Sequence, residues 1–344
     1  MGLHDQVSHP FAERIPAPGE PIAVAEGVWW IRMPLPFALD HINLWILDDG
    51  DAWTLVDTGY GVEATWALWD RHLSGWMAGR PVRNVIVTHY HPDHVGSAAW
   101  LCERTGAPLW MTTSEFLSAH AAHDDTAGFD RPTGMGFFAR NGLDLSRIPE
   151  KMRTGNGYRR GVPAIPAAYR RMMHGDRLSI GGRAWEVITV FGHAPEQATL
   201  WCESLGVLIS SDQVLPRITS NVGVWGNQPD GNPLAQFLSS LGRLAHLPSE
   251  TRVLPSHERV FLGLHRRIAE LHEHHDRRLE RLLEGCAEPI TAFDALPLLF
   301  KRQLDDHQMM FAMGEAIAHL HYLQAQGKVR REEDGAGVRR FVAA

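Results

Sequence analysis

The stretch THYHPDHVG, residues 88–96, places His89, His91, Asp93 and His94 within six positions of one another. It directly follows the apolar run VIV, which predicts a buried strand, so the polar side chains begin where that strand ends. Crowded imidazoles are unfavourable in a purely structural segment, because each ring must stay neutral or find a partner for its charge. Two histidines one residue apart at a strand's exit can point to the same side and bind one ion. Asp93 and His94 would then face a second position nearby, so the stretch predicts a two-position metal site.

Three further candidate ligands follow other predicted strands. His193 follows WEVITVFG, Asp212 follows GVLISS and His257 follows TRVLPS. Each lies where a strand ends, which is the usual place for a site on an α/β scaffold. A single buried histidine is more often structural than a ligand, so these residues point to a metal only as a set.

The composition is that of an ordinary globular protein of 344 residues, with 44% hydrophobic and 21% charged residues. The net charge of −7 gives no indication of a general nucleic-acid or membrane binder. Three cysteines, far apart and without a CxxC pair, argue against a disulfide framework and fit a reducing compartment. The N-terminal stretch lacks a cationic, apolar leader and no apolar run is long enough to span a bilayer, so we expect a cytoplasmic protein.

Short strands and helices alternate in the first third of the chain and predict a layered α/β core. DDGD, residues 48–51, predicts a hairpin, and residues 62–77 have the apolar spacing of an amphipathic helix. Residues 112–175 break the alternation, and we expect them to form an ordered, partly helical cover over the active site. We place the catalytic domain at residues 1–262. In residues 263–344, three predicted helices followed by a hairpin are typical of a small winged-helix-like domain.

These motifs resemble those of the metallo-β-lactamase fold superfamily. HYHPDH matches its HxHxDH motif, and LVDTG, GHAPEQ, SSD and PSH occur in family order over about residues 20–262. The resemblance implies a four-layer αββα sandwich with a dinuclear metal site along one edge. Residues 263–344 resemble the winged-helix tail of the subgroup that includes lactamase-beta-like and glyoxalase II-related proteins.

The resemblance also implies a role for each candidate ligand. The implied ligands of the first metal are His89, His91 and His193. Those of the second metal are Asp93, His94 and His257, with Asp212 bridging the two. Asp57, in LVDTG, would be a buried carboxylate that fixes the tautomer of a ligand histidine, or merely a turn residue. Gln197 departs from the family pattern, because many relatives of the glyoxalase II type have histidine there. The donor set suits two divalent ions, zinc first, with iron or manganese as alternatives.

Two ions that share a water can lower its pKa towards about 7 and so supply hydroxide at neutral pH. Asp93 could orient that hydroxide and take its proton, which predicts a hydrolase. The general acid for the leaving group is not assigned, although His41 and Tyr90 are candidates. A thiolate leaves without protonation more readily than an amide or an alkoxide, so thioesters and strained lactones would suit the site.

The expected cover contains candidate substrate-binding residues, Tyr158, Arg159 and Arg160. Arginine forks suit phosphate or carboxylate groups, so an anionic carrier such as coenzyme A or glutathione fits, and a solvated helix face fits equally well. Four aromatic residues either line an acyl pocket or belong to the core: Trp30, Trp45, Phe137 and Phe138. HEHH, residues 272–275, is better interpreted as a solvated helix face than as another metal site.

The main hypothesis is a metal-dependent hydrolase of small anionic thioesters, or of related esters and lactones, with a small-molecule substrate and no membrane partner. The alternative is a metal-dependent ribonuclease of the lactamase-beta-like type, because four arginines lie on the predicted wing: Arg330, Arg331, Arg339 and Arg340. Acidic and basic residues are nearly balanced in residues 263–344, so we do not expect nucleic acid to bind. We expect this tail to pack beside the active site or to form a homodimer contact. A non-catalytic protein with the same fold is a third hypothesis, and seven polar ligands buried without a metal argue against it.

Overall fold

Two β-sheets and a short hairpin are present in the computed structural model, which describes residues 7–344. The seven strands of the first sheet pair in sequence order and are β1 Ile22–Ala25, β2 Val28–Pro34, β3 His41–Asp49, β4 Ala52–Val56, β5 Val82–Ile86, β6 Leu109–Met111 and β7 Arg170–Arg171. The strands of the second sheet also pair in sequence order and are β8 Arg177–Ile180, β9 Arg183–Val190, β10 Gln197–Cys202, β11 Val207–Ser211 and β12 Arg252–Pro255. The hairpin consists of β13 Val329–Glu333 and β14 Arg339–Ala343.

The α-helices are α1 Glu63–Ser74, α2 Pro92–Val95, α3 Ala98–Thr105, α4 Thr113–His123, α5 Arg131–Arg140, α6 Glu150–Arg153, α7 Pro233–Leu244, α8 Leu264–Gly285, α9 Leu296–Leu299 and α10 Asp306–Ala325.

Three apolar clusters show how these elements stack. The central cluster joins the facing surfaces of the two sheets and includes Trp30 and Trp185. A second cluster joins the outer face of the first sheet to α1, α3 and α4, and includes Trp69. The third joins the outer face of the second sheet to α7, α8 and α10, and includes Phe237. The resulting order of helices, sheet, sheet and helices confirms the αββα prediction.

The strands are apolar at consecutive positions because both faces of each sheet are covered. Trp30 and Ile31 are neighbours in β2, and both are 0% exposed although they belong to different apolar clusters. Successive side chains of a strand point to opposite faces, so a sheet inside a four-layer fold buries both sets. This explains why runs such as VIV are apolar at every position.

The predicted hairpin and first helix are found where the sequence indicated. Gly50, with φ of 73°, turns the chain between β3 and β4, and α1 lies within residues 62–77. Residues 112–175 contain α4, α5 and α6, and also β7, a two-residue strand parallel to β6 that was not predicted. The four aromatic residues in question are all buried in apolar clusters: Trp30, Trp45, Phe137 and Phe138.

The C-terminal region has three helices followed by a hairpin, in the predicted order, and it shares its apolar cluster with the second sheet. The interpretation of residues 272–275 as a solvated face is wrong for His275, which is 0% exposed. Its Nδ1 lies 3.1 Å from Nε2 of His319 on α10, because the two helices pack against each other here.

Among the described residues, no helix is both long and apolar enough to cross a membrane. All three cysteines, Cys102, Cys202 and Cys286, are free thiols.

Candidate metal centre

Two groups of potential ligands lie side by side at the ends of the strands. His89, His91, His193 and Asp212 form one group, and Asp93, His94 and His257 form the other. Within each group the candidate ligand atoms lie within 4.8 Å of one another. The structure therefore brings together all seven residues that the sequence motifs singled out.

The first group is centred on the imidazole of His89. Its Nε2 lies 2.9 Å from Nδ1 of His91 and 3.3 Å from Nε2 of His193. The carboxylate of Asp212 approaches the same point, with Oδ2 lying 3.2 Å from Nε2 of His193. Three nitrogens and one carboxylate oxygen therefore converge, which is a donor set that divalent transition metals accept.

The second group shares Asp212 with the first. Oδ1 of Asp212 lies 3.5 Å from Nε2 of both His94 and His257. Oδ2 of Asp93 lies 3.6 Å from Nε2 of His94 and 3.4 Å from Nε2 of His257. One oxygen of Asp212 thus faces each group, so this carboxylate is placed to bridge two ions.

Hydrogen bonds on the far side of the histidine rings fix which nitrogen faces the centre. Nδ1 of His193 donates to the carbonyl of Asn221 at 2.8 Å, and Nδ1 of His257 donates to the carbonyl of His41 at 3.0 Å. In His94, Nδ1 lies 2.9 Å from Oδ2 of Asp57. Because each Nδ1 is engaged in this way, Nε2 is the nitrogen of each ring that would face a bound ion.

Asp57 connects the residues at the ends of two neighbouring strands through hydrogen bonds. Its carboxylate accepts hydrogen bonds from the backbone N–H of Thr88 at 2.8 Å and from the Thr88 hydroxyl. The Thr88 hydroxyl in turn lies 3.1 Å from Nδ1 of His89. Asp57 is 1% exposed, so the geometry favours the role of a carboxylate that orients ligand histidines over that of a turn residue.

Gln197, which replaces the expected histidine, supports the bridging carboxylate from behind. The side-chain amide of Gln197 is oriented so that its oxygen faces hydrogen-bond donors. This oxygen accepts from the backbone N–H of Asp212 at 3.0 Å and from the backbone N–H of Gln213 at 3.1 Å. A neutral amide performs this task at any pH. The departure from the family pattern therefore leaves the position of Asp212 supported.

Glu115 is a buried residue that the sequence analysis missed. Its carboxylate accepts from the backbone N–H of Tyr90 at 2.9 Å and from the backbone N–H of Glu196. It thereby joins the loop of His89 and His91 to the loop that follows His193. Burial raises the pKa of Glu115 to about 7, with the charge of Glu196 adding to the effect. Glu115 is an ordinary residue of α4 in sequence, and only its burial reveals it.

The backbone is strained at three positions around the site. Asp57, Ser211 and Glu258 have φ values of 63°, 48° and 68°, in the left-handed region that favours glycine. Ser211 precedes the candidate ligand Asp212, and Glu258 follows His257. Such conformations cost roughly 1–3 kcal/mol each and persist where the surroundings enforce them, which is common at functional sites.

The electrostatics of the site fit a bound cation. Burial lowers the pKa of His89 and His91 well below the usual range, and their imidazole neighbours add to this effect. Burial acts in the same direction on His94, but the charges of Asp57, Asp93 and Asp212 outweigh it and raise the pKa of His94 well above its ordinary value. His89 and His91 are thus held neutral, as ligands must be, and the carboxylates around His94 favour positive charge at the second group.

Two buried atoms at the centre lack a hydrogen-bond partner among the described residues. They are Nε2 of His94 and Oδ1 of Asp212, and they face each other across 3.5 Å. Buried polar atoms without partners are rare and need an explanation. A divalent ion between them would satisfy both, so the residues present fit the group that the fold implies.

The candidate acids and the predicted substrate residues differ in their placement. Nδ1 of His41 pairs with Asp40 and its Nε2 accepts from the backbone N–H of Glu258, so both nitrogens are engaged. Tyr90 and Tyr158 line a cavity beside His91, and the Tyr158 hydroxyl donates to the Tyr90 carbonyl at 2.5 Å. Burial raises the pKa of both tyrosines.

The two predicted arginines lie on the surface. Nε of Arg159 donates to the carbonyl of His123 at 2.6 Å, and the residue is not part of the cavity lining. Arg160 is exposed, and its guanidinium lies over Gly157, which does line the cavity.

Comparisons with known proteins agree with this architecture. The sequence model of the metallo-beta-lactamase superfamily matches residues 38–257, and that of the metallo-beta-lactamase-like C-terminal domain matches residues 279–344. The structure of a beta-lactamase domain protein from Burkholderia ambifaria superposes with a TM-score of 0.92 at 44% identity, covering 99% of both chains.

Two curated relatives carry more specific names. The probable metallo-hydrolase YqjP of Bacillus subtilis (strain 168) is 24% identical over 90% of this chain and 96% of its own length. A hydroxyacylglutathione hydrolase of Rhodobacter capsulatus is 26% identical over 82% of this chain and 90% of its own length.

Proposed function

This chain belongs to the metallo-beta-lactamase superfamily, and from that premise we propose that it is a metal-dependent hydrolase of small anionic thioesters or of related esters and lactones. The observation that carries the proposal is the pair of ligand groups that share the carboxylate of Asp212. His89, His91 and His193 would hold one ion, and Asp93, His94 and His257 would hold the other. When bound, the two ions would lower the pKa of a water molecule and polarise the carbonyl oxygen of the substrate.

Asp93 is the residue best placed to handle the proton of an attacking water. Its side chain is 19% exposed, whereas those of His94 and His257 beside it are 0% and 4% exposed. Asp93 therefore reaches the open side of the site while its Oδ2 remains next to both rings. In this position an ionised carboxylate can accept a hydrogen bond from water and then its proton.

The leaving group is the reason for favouring thioesters. Both nitrogens of His41 are engaged, and burial raises the pKa of Tyr90, with the charge of Glu115 adding to the effect, so neither residue is prepared to deliver a proton rapidly. A thiolate needs no proton to leave, whereas an amide nitrogen does. The name of the Rhodobacter capsulatus relative, which denotes hydrolysis of an acylglutathione thioester, supports the same class.

The surroundings of the wing arginines do not favour the ribonuclease alternative. Arg330, Arg331 and Arg340 each form an ion pair, with Glu332, Asp230 and Asp334 respectively. Arg339 donates to the carbonyl of Pro229 and lies over the ring of Phe137. Arginines that are already paired contribute less to phosphate binding.

Metal analysis combined with a hydrolysis panel tests the proposal. The panel contains acyl-CoA and acylglutathione thioesters, a lactone, a β-lactam and single-stranded RNA. We expect two ions per chain and thioester turnover that His91→Ala abolishes, while His246→Ala, which alters an exposed histidine outside the site, leaves it intact. Cleavage of RNA alone would replace the proposal with the nuclease, and metal-free protein inert towards the whole panel would refute both.

A further inference from the structure

A cavity of about 260 Å³ opens beside the candidate ligand His91. Its aromatic lining consists of Tyr90, Phe129, Phe138, Tyr158, Trp225 and Phe311. An engineered cavity of about 150 Å³ is sufficient for benzene, so this space accommodates an aromatic ring or a short acyl chain. The lining indicates a ligand with an apolar part.

Three distant parts of the chain form this cavity. One wall comes from the 112–175 segment, a second from the loop around Trp225, and a third from Met310 and Phe311 in the first turns of α10. The ring of Phe311 meets that of Trp225 edge to face at 5.8 Å. The C-terminal region therefore takes part in shaping the space next to the metal centre.

Two guanidinium groups converge at the edge of the cavity. A methyl group added to Gly157 would lie 2.7 Å from Nη2 of Arg131 and 3.2 Å from Nη2 of Arg160, so both arginines reach the same point above this glycine. Within the described residues, neither guanidinium has an ion-pair partner within 4.0 Å or a side-chain hydrogen bond. Two like charges without an acceptor between them repel each other, and an anion placed between them would remove that repulsion.

The acidic residues of the cavity do not neutralise the pair. Asp130 uses its carboxylate to accept from the backbone N–H and the hydroxyl of Thr133, where it caps α5. Asp125 is exposed and lines the same cavity, and although its charge acts on Arg131, no ion pair within 4.0 Å joins the two. The two arginine forks therefore remain available to a ligand.

We infer that Arg131 and Arg160 bind the carboxylate or phosphate of the substrate, while the aromatic cavity holds its apolar part. This inference rests on the proposed function and makes it more specific: the substrate is an ester or thioester with an anionic group and an apolar group. A planar guanidinium matches the two oxygens of a carboxylate or phosphate with parallel hydrogen bonds. Arg131, at the first turn of α5, is the half-buried member of the pair, and Arg160 is its exposed partner.

Binding of matched probes tests the inference without requiring turnover. The metal-loaded protein is titrated calorimetrically with 4-phenylbutyrate, 4-phenylbutylphosphonate and the uncharged 4-phenyl-1-butanol. We expect the anions to bind more tightly than the alcohol, and the relative affinities of the two anions identify which group the pair prefers. In the R131Q/R160Q double variant the affinity for the anions should fall roughly 10-fold to 100-fold, with that for the alcohol unchanged.

Arg159→Gln is the matched control, because Arg159 is an exposed neighbour that already donates to a backbone carbonyl. An equal loss in this control would mean that general surface charge attracts the anions. Anion binding that survives the double variant would place the anion elsewhere, for example on the metals. Either result overturns the inference, as does the failure of all three probes to bind. Arg131→Lys, which keeps the charge and loses the planar fork, should retain part of the preference and shows that the site remains folded.

The outcome is separate from that of the hydrolysis panel. Anion preference that depends on Arg131, in a protein that hydrolyses no ester or thioester, would leave the anion site standing and remove the proposed function. Thioester turnover in a protein whose anion preference does not depend on Arg131 would support the proposed function and overturn the anion site.

Discussion

Nδ1 of His94 lies 2.9 Å from Oδ2 of Asp57, although 37 positions separate the two residues and both are buried. Asp57 follows β4 and His94 lies in α2, which follows β5, so the contact joins two neighbouring strand ends of the first sheet. The same carboxylate accepts from the backbone and the hydroxyl of Thr88. A single buried anion therefore sets both the ring orientation of His94 and the start of the loop that carries the other ligands.

Asp57→Asn should weaken metal binding while leaving the chain folded. The amide keeps an acceptor for Thr88 but presents an N–H group to Nδ1 of His94, which favours the wrong tautomer. We expect a loss of metal affinity of about 10-fold to 100-fold, measured by competition with a chelator. Asp70→Asn, at an exposed residue paired with Arg104, is the control and should retain wild-type affinity.

His257→Ala should remove one of two ions. His257 belongs only to the second group, so the first group keeps all four of its candidate ligands. We expect metal content to fall from two ions per chain to one, as measured by elemental analysis. A variant that loses both ions would show that the first group cannot hold a metal alone.

Removal of metal should lower the thermal stability of the protein without unfolding it. The three apolar clusters do not depend on the site, but the buried ligands would lose their bonds to the ions, and His94 would be the main positive partner left for Asp57, Asp93 and Asp212. At free metal of 100 times the dissociation constant, a bound ion stabilises by about 2.7 kcal/mol, which chelation removes. Circular dichroism should show unchanged secondary structure at 25 °C and a lower melting temperature.

Gln197→Leu should be more damaging than Gln197→His. Leucine leaves the buried N–H groups of Asp212 and Gln213 without an acceptor, at a cost of about 1–3 kcal/mol for each such group. Imidazole retains an acceptor, and it is the side chain that the family resemblance implies at this position. Urea unfolding and metal affinity measured on both variants test this order, and equal losses would contradict the role given to the amide.

Because of His275, the protein should be less stable in mild acid than at neutral pH. His319 donates from Nδ1 to the carbonyl of Glu315, so its Nε2 accepts from Nδ1 of His275, and Nε2 of His275 has no partner among the described residues. Burial, with His319 adding to the effect, lowers the pKa of His275 to about 2. The folded state thus keeps the ring neutral while the unfolded chain takes up a proton near the ordinary pKa of 6.5.

The free energy of unfolding falls as the pH falls, because the unfolded state takes up a proton that the folded state does not. The contribution of His275 is complete above pH 6.5 and is lost as the pH falls below that value, by about 1.4 kcal/mol per pH unit. His275→Asn, which preserves a donor near Nδ1, should make the free energy of unfolding fall less steeply between pH 6.5 and pH 5, while the other buried histidines with lowered pKa values, His72, His274 and His319, keep part of the slope. Leu279→Ala, on the same helix, should lower stability equally across this range, because leucine does not titrate.

The layered fold and the positions of the clustered residues follow from local patterns. Apolar runs that end in polar motifs indicate buried strands, and strand ends on one edge of a sheet meet in space. His89 and His91 illustrate this, because their one-residue spacing at the end of β5 already implies a common direction.

The cavity and its arginines could not be predicted in the same way. Arg159 and Arg160 are neighbours in one helical turn, and only the packing of the turn decides that one reaches His123 and the other reaches Gly157. Arg131 and Phe311 meet the cavity from segments far apart in sequence, so no local pattern connects them. His275 was misjudged for a related reason, since the charges around it on α8 conceal that its own face packs against α10.

The candidate ligands come from both sheets of the sandwich. His89, His91, Asp93 and His94 follow β5 of the first sheet, whereas His193, Asp212 and His257 follow strands of the second. Ions held by both sets would cross-link the sheets at one edge, so the sheets could separate there only if one set of ligands released its ions. The rate at which the bound metal exchanges with an isotopically labelled ion of the same element would then set an upper limit on how often the two sheets separate at that edge.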